Sequence, residues 1–256
     1  MSRRVLLLVA LLSLLPSQLR ADKTPDSTES TKDVPSSSGE DEQRADPLEV
    51  FLGEYEAQTA REVSVNLFDG RQGSPTAPVR VVVFSDMQCR PYCQRSARGL
   101  ADLLQRYDGL IEVVYKNYPL NADCNPLVTS RHHAFACSLA KGLQCAGEQD
   151  AFWAYHDQAY EQSVLDDSTA AWLVGSLGLD KDRWTQCIQG REVSKQLARQ
   201  AVDGGRLEVR GTPNFFINGR QIRGSAMDRV EAAIRWELSE LGRDDLPPDE
   251  SGVFPR

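Results

Sequence analysis

The sequence predicts an α/β domain whose sheet is interrupted by a block of helices. Three observations predict it. Val79 to Asp86, VRVVVFSD, is nearly continuous in β-branched and aromatic residues, as in a strand buried on both faces. Asn125 to Gly204 holds no convincing strand but several stretches with helical spacing. Pro213 to Gly224, PNFFINGRQIRG, then returns to strand, with Asn218-Gly219 as a tight hairpin turn.

From the start of the chain, Arg3 and Arg4 precede the apolar run Val5 to Leu15, shorter than the ~20 residues a membrane span needs. Residues 1–21 are therefore expected to be a signal peptide cleaved after Ala21. Residues 22–46 carry eight acidic and three basic side chains, with Val34 the one apolar residue besides alanine and proline. Such a stretch buries too little to offset ordering entropy, and a disordered acidic linker is expected. The folded domain is placed at 47–243, followed by a frayed tail, 244–256.

Leu48, Phe51, Leu52 and Tyr55 recur at i, i+3, i+4 and i+7, predicting an amphipathic helix from Pro47 to about Arg61, free to pair subunits or to pack on its own domain. Val63 to Phe68, VSVNLF, alternates as a strand should, and DGRQGSPTAP, Asp69 to Pro78, reads as a loop. Beyond the buried strand, Ala97, Leu100, Leu103, Leu104 and Tyr107 mark a helix starting at Cys93 and closed by Gly109. Leu110 to Leu120 is again strand. The helical block, about 125–204, is expected to hold four or five helices, carried by Ser130 to Leu143, Asp150 to Glu161, Ser168 to Leu177 and Asp180 to Gly190. Asp150 and Ser168 are the expected N-caps, Gly175, Gly178 and Gly190 the expected ends, and Trp153, Tyr155 and Trp172 expected core residues. Val230, Ala233, Ile234 and Leu238 line a last helix.

The formal charge is −8, and loss of the leader's arginines makes the chain more acidic still, which argues against a nucleic-acid role. No cofactor and no resident metal are indicated, and a monomer is expected. Six cysteines behind a leader point to disulfide chemistry, because exported compartments permit it.

Cys89 and Cys93 lie at the junction of a buried strand and a helix. Unpaired N–H groups and the helix dipole stabilise a thiolate there, and Arg90 adds positive charge. Asp86 either accepts a proton from Cys93 or serves as an ordinary strand-end residue. Cys124, Cys137, Cys145 and Cys187 fit structural disulfides. If one helix carries both Cys137 and Cys145, these stand ~12 Å apart along its axis, too far to bond. Cys124 then pairs with Cys137 or Cys145, and Cys187 with the other.

FSDMQCRPYC, leading into a helix, and GTPNFFING some 120 residues later together resemble the DsbA-like family of exported thiol:disulfide oxidoreductases, over about Ala77 to Leu241. The resemblance implies a thioredoxin-like fold with an inserted helical block, and a cis Thr212-Pro213 bond that aligns a client backbone beside the cysteines. It further implies that Cys89 forms a mixed disulfide which Cys93 resolves, with exported client proteins and a membrane or soluble redox partner. The family's CxxC stands here as CxxxC. Alignment on Cys89 makes one intervening residue extra, whereas alignment on PYC puts Arg90 at the nucleophile's place.

Two other readings use the same pair. CxxxC on a thioredoxin fold is also similar to copper-delivery proteins of the Sco family, since two thiolates and a distant histidine suit Cu(I); His132, His133 and His156 are the candidates, with His132-His133 otherwise a surface and a half-buried helix residue. A non-catalytic domain would use Cys89-Cys93 only as a structural bridge.

Overall fold

A computed structural model describes residues 45–243 and 246–248; the expected leader, nearly all of the linker and most of the tail lie outside the described residues. The elements run α1 (Pro47–Glu56), β1 (Gly70–Gly73), β2 (Val79–Ser85), α2 (Tyr92–Arg106), β3 (Ile111–Asn117), α3 (Ala136–Gly147), α4 (Phe152–Glu161), α5 (Asp167–Ser176), α6 (Lys181–Gln189), α7 (Arg191–Arg206), β4 (Asn214–Ile217), β5 (Arg220–Arg223) and α8 (Met227–Glu240). Among the described residues no helix is long and apolar enough to cross a membrane.

The sheet order is β1-β3-β2-β4-β5. β2 and β3, the two most continuously apolar stretches, lie parallel at its centre, and β4 runs antiparallel on the other side of β2. This is the thioredoxin-like arrangement with a helical insertion that the resemblance implies. Each fully buried Val or Phe here contributes about 1.5–3 kcal/mol, and Val79, Val81, Val113, Phe215 and Phe216 are all sealed from solvent. The β4-β5 hairpin turns at Asn218 and Gly219, both at positive φ, the conformation a two-residue turn of this hand requires.

The expected strand at 63–68 forms no ladder; Val63 and Val65 instead pack on a small cluster around Phe84, Tyr118 and Phe216. The fifth strand is β1, inside the expected loop, where Gly70 to Gly73 pairs antiparallel with the free edge of β3. An edge strand with three of its four residues exposed has no apolar pattern to betray it. α1 ends five residues before Arg61, because beyond Glu56 the chain turns to bond the hairpin: Gln58 Nε2 donates to the Gln221 carbonyl and the Arg61 N–H to the Gly219 carbonyl. α1 packs on its own domain, with Tyr55 fully buried and its hydroxyl donating to the Ile217 carbonyl and to Glu237.

In the insertion, the first helix starts at Ala136 rather than Ser130, so His132 and His133 lie in the loop before it. Asp166, not Ser168, caps α5 by accepting from the Thr169 N–H, and Asp150 stands at positive φ ahead of α4, whose N-cap is Ala151. Gly178, at positive φ just past α5, and Gly190, between α6 and α7, are ends as expected, whereas Gly175 lies within α5. Tyr155 is in the core and Trp153 is partly covered, but Trp172 is 52% exposed: α5 buries Thr169, Ala170, Leu173 and Val174, and residue 172 faces away from them. Cys124 bonds Cys137 and Cys145 bonds Cys187, joining the loop after β3 to the start of α3 and the end of α3 to α6.

α7, with Gln200 and Gly204 in its buried stripe, closes on the sheet through polar contacts. Lys116 of β3 is fully buried, its Nζ 2.8 Å from Asp69 and 3.2 Å from Asp203 of α7. Gln200 donates to Asp69 and accepts from the Asn117 side chain. Gly204 lets α7 approach closely, since a Cβ there would sit 2.7 Å from the Tyr118 ring. Removing the cation would leave two carboxylates uncompensated. Lys116→Met is therefore expected to cost about 3–5 kcal/mol in urea unfolding, with part recovered by adding Asp69→Asn; a loss below ~1 kcal/mol would show that the cluster is not holding α7.

Candidate functional site

The register of the central strand builds the site. Phe84 pairs with Asn214 and Ser85 with Asn117, so the end of β2 meets the start of β4. There Thr212-Pro213 is cis, and so is Arg90-Pro91 in the loop facing it.

Asp86 ends the strand. Its buried carboxylate accepts from the Gln88 N–H at 2.7 Å, the Leu120 N–H at 2.7 Å and His133 Nδ1 at 2.9 Å. It thus ties the cysteine loop to the segment after β3 and to the insertion. Gln88 extends the stitching: its Nε2 donates to the Leu165 carbonyl and its Oε1 accepts from the Phe135 N–H. Arg90 Nη2 and Gln94 Nε2 donate to the Tyr160 carbonyl, and Arg90 also to that of Ala159, at the C-terminal turn of α4. Carbonyls at a helix C-terminus lack intrahelical donors, and a guanidinium suits them.

Cys89 precedes α2 and Cys93 is its second residue; the Cys93 N–H donates to the Cys89 carbonyl at 2.9 Å, closing a helical turn around the intervening residues. Both thiols are free and buried, Cys89 at 5% exposure and Cys93 at 1%. Cys89 Sγ donates to the Thr212 carbonyl at 3.3 Å. Of the two alignments of the CxxxC stretch, the geometry brings Cys89 to Thr212 and sends Arg90 away to α4.

The two thiols are electrostatically unlike. The Cys89 pKa is pulled down to about 7, first by the hydrogen bond from the Cys93 thiol and further by the Thr212 hydroxyl and the Cys93 backbone N–H, against a burial cost. The Thr212 Oγ1 is buried without a hydrogen-bond partner among the described residues, which leaves its hydroxyl free to turn to a Cys89 thiolate. Cys93 is driven far above the thiol range by burial, then by donating to Cys89. Arg90 is not among the main causes of this shift; its guanidinium points to the α4 carbonyls. The negative charge of Asp86 raises the Cys89 pKa. Its carboxylate is already engaged by three donors and so serves as a clasp. His133, which the sequence offers only as a copper ligand or a helix residue, is held by that clasp, and hydrogen bonding to Asp86 raises its pKa.

Of the histidines in the copper reading, one ring nitrogen each is bonded, His133 Nδ1 to Asp86, His156 Nδ1 to Asp157 and His132 Nε2 to Ser130. Among the described residues no three His, Cys, Asp or Glu side chains gather as a metal would require. Cys124, Cys137, Cys145 and Cys187 are all spent on the two disulfides.

The family model described as thioredoxin matches residues 68–235. A Salinispora arenicola protein named Na(+)/H(+) antiporter NhaA 1 is 32% identical over 187 residues, 71% of this chain and 27% of that protein, so the chain spans about a quarter of the length of this relative. A Bacillus anthracis protein, named a probable disulfide bond formation protein D, is 24% identical over 181 residues, 66% of this chain and 77% of the relative. The crystal structure of a thioredoxin-like oxidoreductase from Silicibacter pomeroyi superposes with a TM-score of 0.59 at 20% identity, covering 68% of this chain and 94% of that one.

The difference between the thiols is measurable. Iodoacetamide labelling of the reduced protein is expected to fall on Cys89 with a midpoint near pH 7, slower below it where the thiol is protonated and faster above, while Cys93 stays unlabelled. Cys93→Ala removes the donor and moves the midpoint up toward the ~8.5 of an ordinary thiol. An unmoved midpoint would mean that Cys93 is not the cause.

Proposed function

The chain belongs to the thioredoxin family, and on that premise we propose that it is an exported thiol:disulfide oxidoreductase which exchanges disulfides with client proteins through Cys89 and Cys93. One observation carries the reading: a thiol held near neutral pKa beside the cis Thr212-Pro213 bond, backed by a second, deeply buried thiol that stays protonated.

In the client-reducing direction, the Cys89 thiolate attacks a client disulfide, joining one client sulfur and releasing the other as a thiolate. Cys93, on the first turn of α2, then displaces the client sulfur from Cys89, so that the Cys89–Cys93 bond forms as the mixed disulfide breaks. The reverse sequence oxidises a client dithiol. Which direction prevails depends on the potential of a membrane or soluble redox partner that resets the pair. A thiolate stabilised at Cys89 is also a good leaving group, which favours the oxidising direction. Thr212 and Pro213 line the face where a client backbone adds as a strand, and that added strand fixes the attacked sulfur opposite Cys89.

Export rests on the apolar leader of the sequence and on the two intact disulfides, which a reducing cytosol would not sustain. The test compares wild type, Cys89→Ser and Cys93→Ser in insulin reduction and in oxidative refolding of a reduced test protein. Wild type is expected to be active in at least one of the two assays, and both variants to lose it. An inactive wild type would remove the reading.

A further inference from the structure

A thiol as deeply buried as Cys93 cannot attack until it loses its proton, and solvent reaches it poorly. Asp86 meets Cys93 through its backbone N–H, while its two carboxylate oxygens hold three other donors at 2.7 to 2.9 Å. The groups facing Cys93 are Cys89 and Asp86 from its own loop, Ser85 and Tyr115 from the sheet, and Tyr160 from α4.

A cavity of about 40 Å³ lies behind Cys93, between α2, the sheet and α4, with Ser85, Tyr115, His156 and Asp157 in its wall. That volume exceeds the ~10–15 Å³ that one water occupies, and the wall offers the polar partners that a water needs. The Tyr115 hydroxyl is buried without a hydrogen-bond partner among the described residues. On the far wall, His156 is 3% exposed, gripped edge-on by the rings of Tyr115, Trp153 and Tyr160. Its Nδ1 lies 2.7 Å from Asp157 Oδ1. An ionised carboxylate only accepts, so Nδ1 carries the hydrogen and Nε2 keeps a lone pair.

We propose that His156, oriented by Asp157, is the proton acceptor for Cys93, reached through the cavity by way of the Tyr115 hydroxyl or a water. The Cys93 S–H bond breaks and its proton arrives at His156 Nε2. The electron pair left on the Cys93 sulfur forms the bond to the Cys89 sulfur, and the bond from Cys89 to the departing sulfur breaks, that sulfur leaving with the pair. In reverse, the His156 imidazolium returns the proton to Cys93 as it is expelled from the disulfide. The proposal rests on the reading that Cys89 and Cys93 exchange disulfides.

The test isolates the closing step in the full chain. Reduced Cys89 is loaded with 5,5′-dithiobis(2-nitrobenzoate), and the second, concentration-independent release of thionitrobenzoate reports attack by Cys93. His156→Gln slows it at least about tenfold at pH 7, within the usual worth of a positioned base. Asp157→Asn, at an exposed carboxylate that is safe for folding, slows it less, because the ring loses the partner that orients it. The first release stays as in wild type in both variants, and Asp157→Asn keeps the wild-type melting temperature. Closing rates within twofold of wild type in both variants would overturn the proposal. A wild type that closes its own adduct but fails with every protein disulfide would remove the oxidoreductase reading and leave the role of His156 standing; one that never closes overturns both.

Discussion

Everything at the site follows from the two-sided pairing of the central strand. β2 is parallel to β3 on one edge and antiparallel to β4 on the other, and the registers Ser85 with Asn117 and Phe84 with Asn214 fix where it ends. A one-residue slip would exchange its buried faces, so the hydrophobic core enforces this register. Because β4 begins where β2 ends, the Thr212 carbonyl comes within hydrogen-bond distance of Cys89, though the two are 123 residues apart in the chain. The insertion between them is long, yet Asp86, Gln88, Arg90 and Gln94 bond to it side chain by side chain, so it forms the wall of the site rather than an appendage.

The parts of this architecture legible in sequence are those whose energetics are local. The apolar run of β2, the amphipathic stripe of α2, and the Asn218-Gly219 turn each carry their own pattern, and each appears where its pattern places it. β1 was illegible because its partner supplies the reason for it: a glycine-flanked, exposed segment pairs only because β3 has a free edge. VSVNLF had the right alternation but no edge to join. α7 was blurred for another reason, since its buried stripe includes Gln200 and Gly204, which earn their place through Asp69 and a close approach to Tyr118 rather than through apolar area.

At the site itself, the cysteine pair and the Thr-Pro pair were legible as residue types at telling positions, but the roles of the charged neighbours were not. Adjacency in sequence suggested that Arg90 would tune Cys89. In three dimensions its guanidinium caps α4, and the tuning passes to the Cys93 thiol and the Thr212 hydroxyl. Asp86 likewise stood beside the pair in sequence, but the loop that brings His133 and Leu120 to it lies 34 to 47 residues away. Nor did spacing choose between the possible disulfides. The choice falls out of where α3 begins, which puts Cys137 next to the loop carrying Cys124 and leaves Cys145 opposite α6.

The central claim is that Cys89 is the sulfur that meets a partner and Cys93 the one that lets it go. Trapping tests this most directly: Cys93→Ser, incubated with a disulfide-bonded protein and quenched with acid, is analysed by peptide mass spectrometry. The account predicts a stable covalent adduct through Cys89, with Cys124–Cys137 and Cys145–Cys187 intact. An adduct through one of those four cysteines, or none at Cys89 while Cys89→Ser still traps through Cys93, would contradict it.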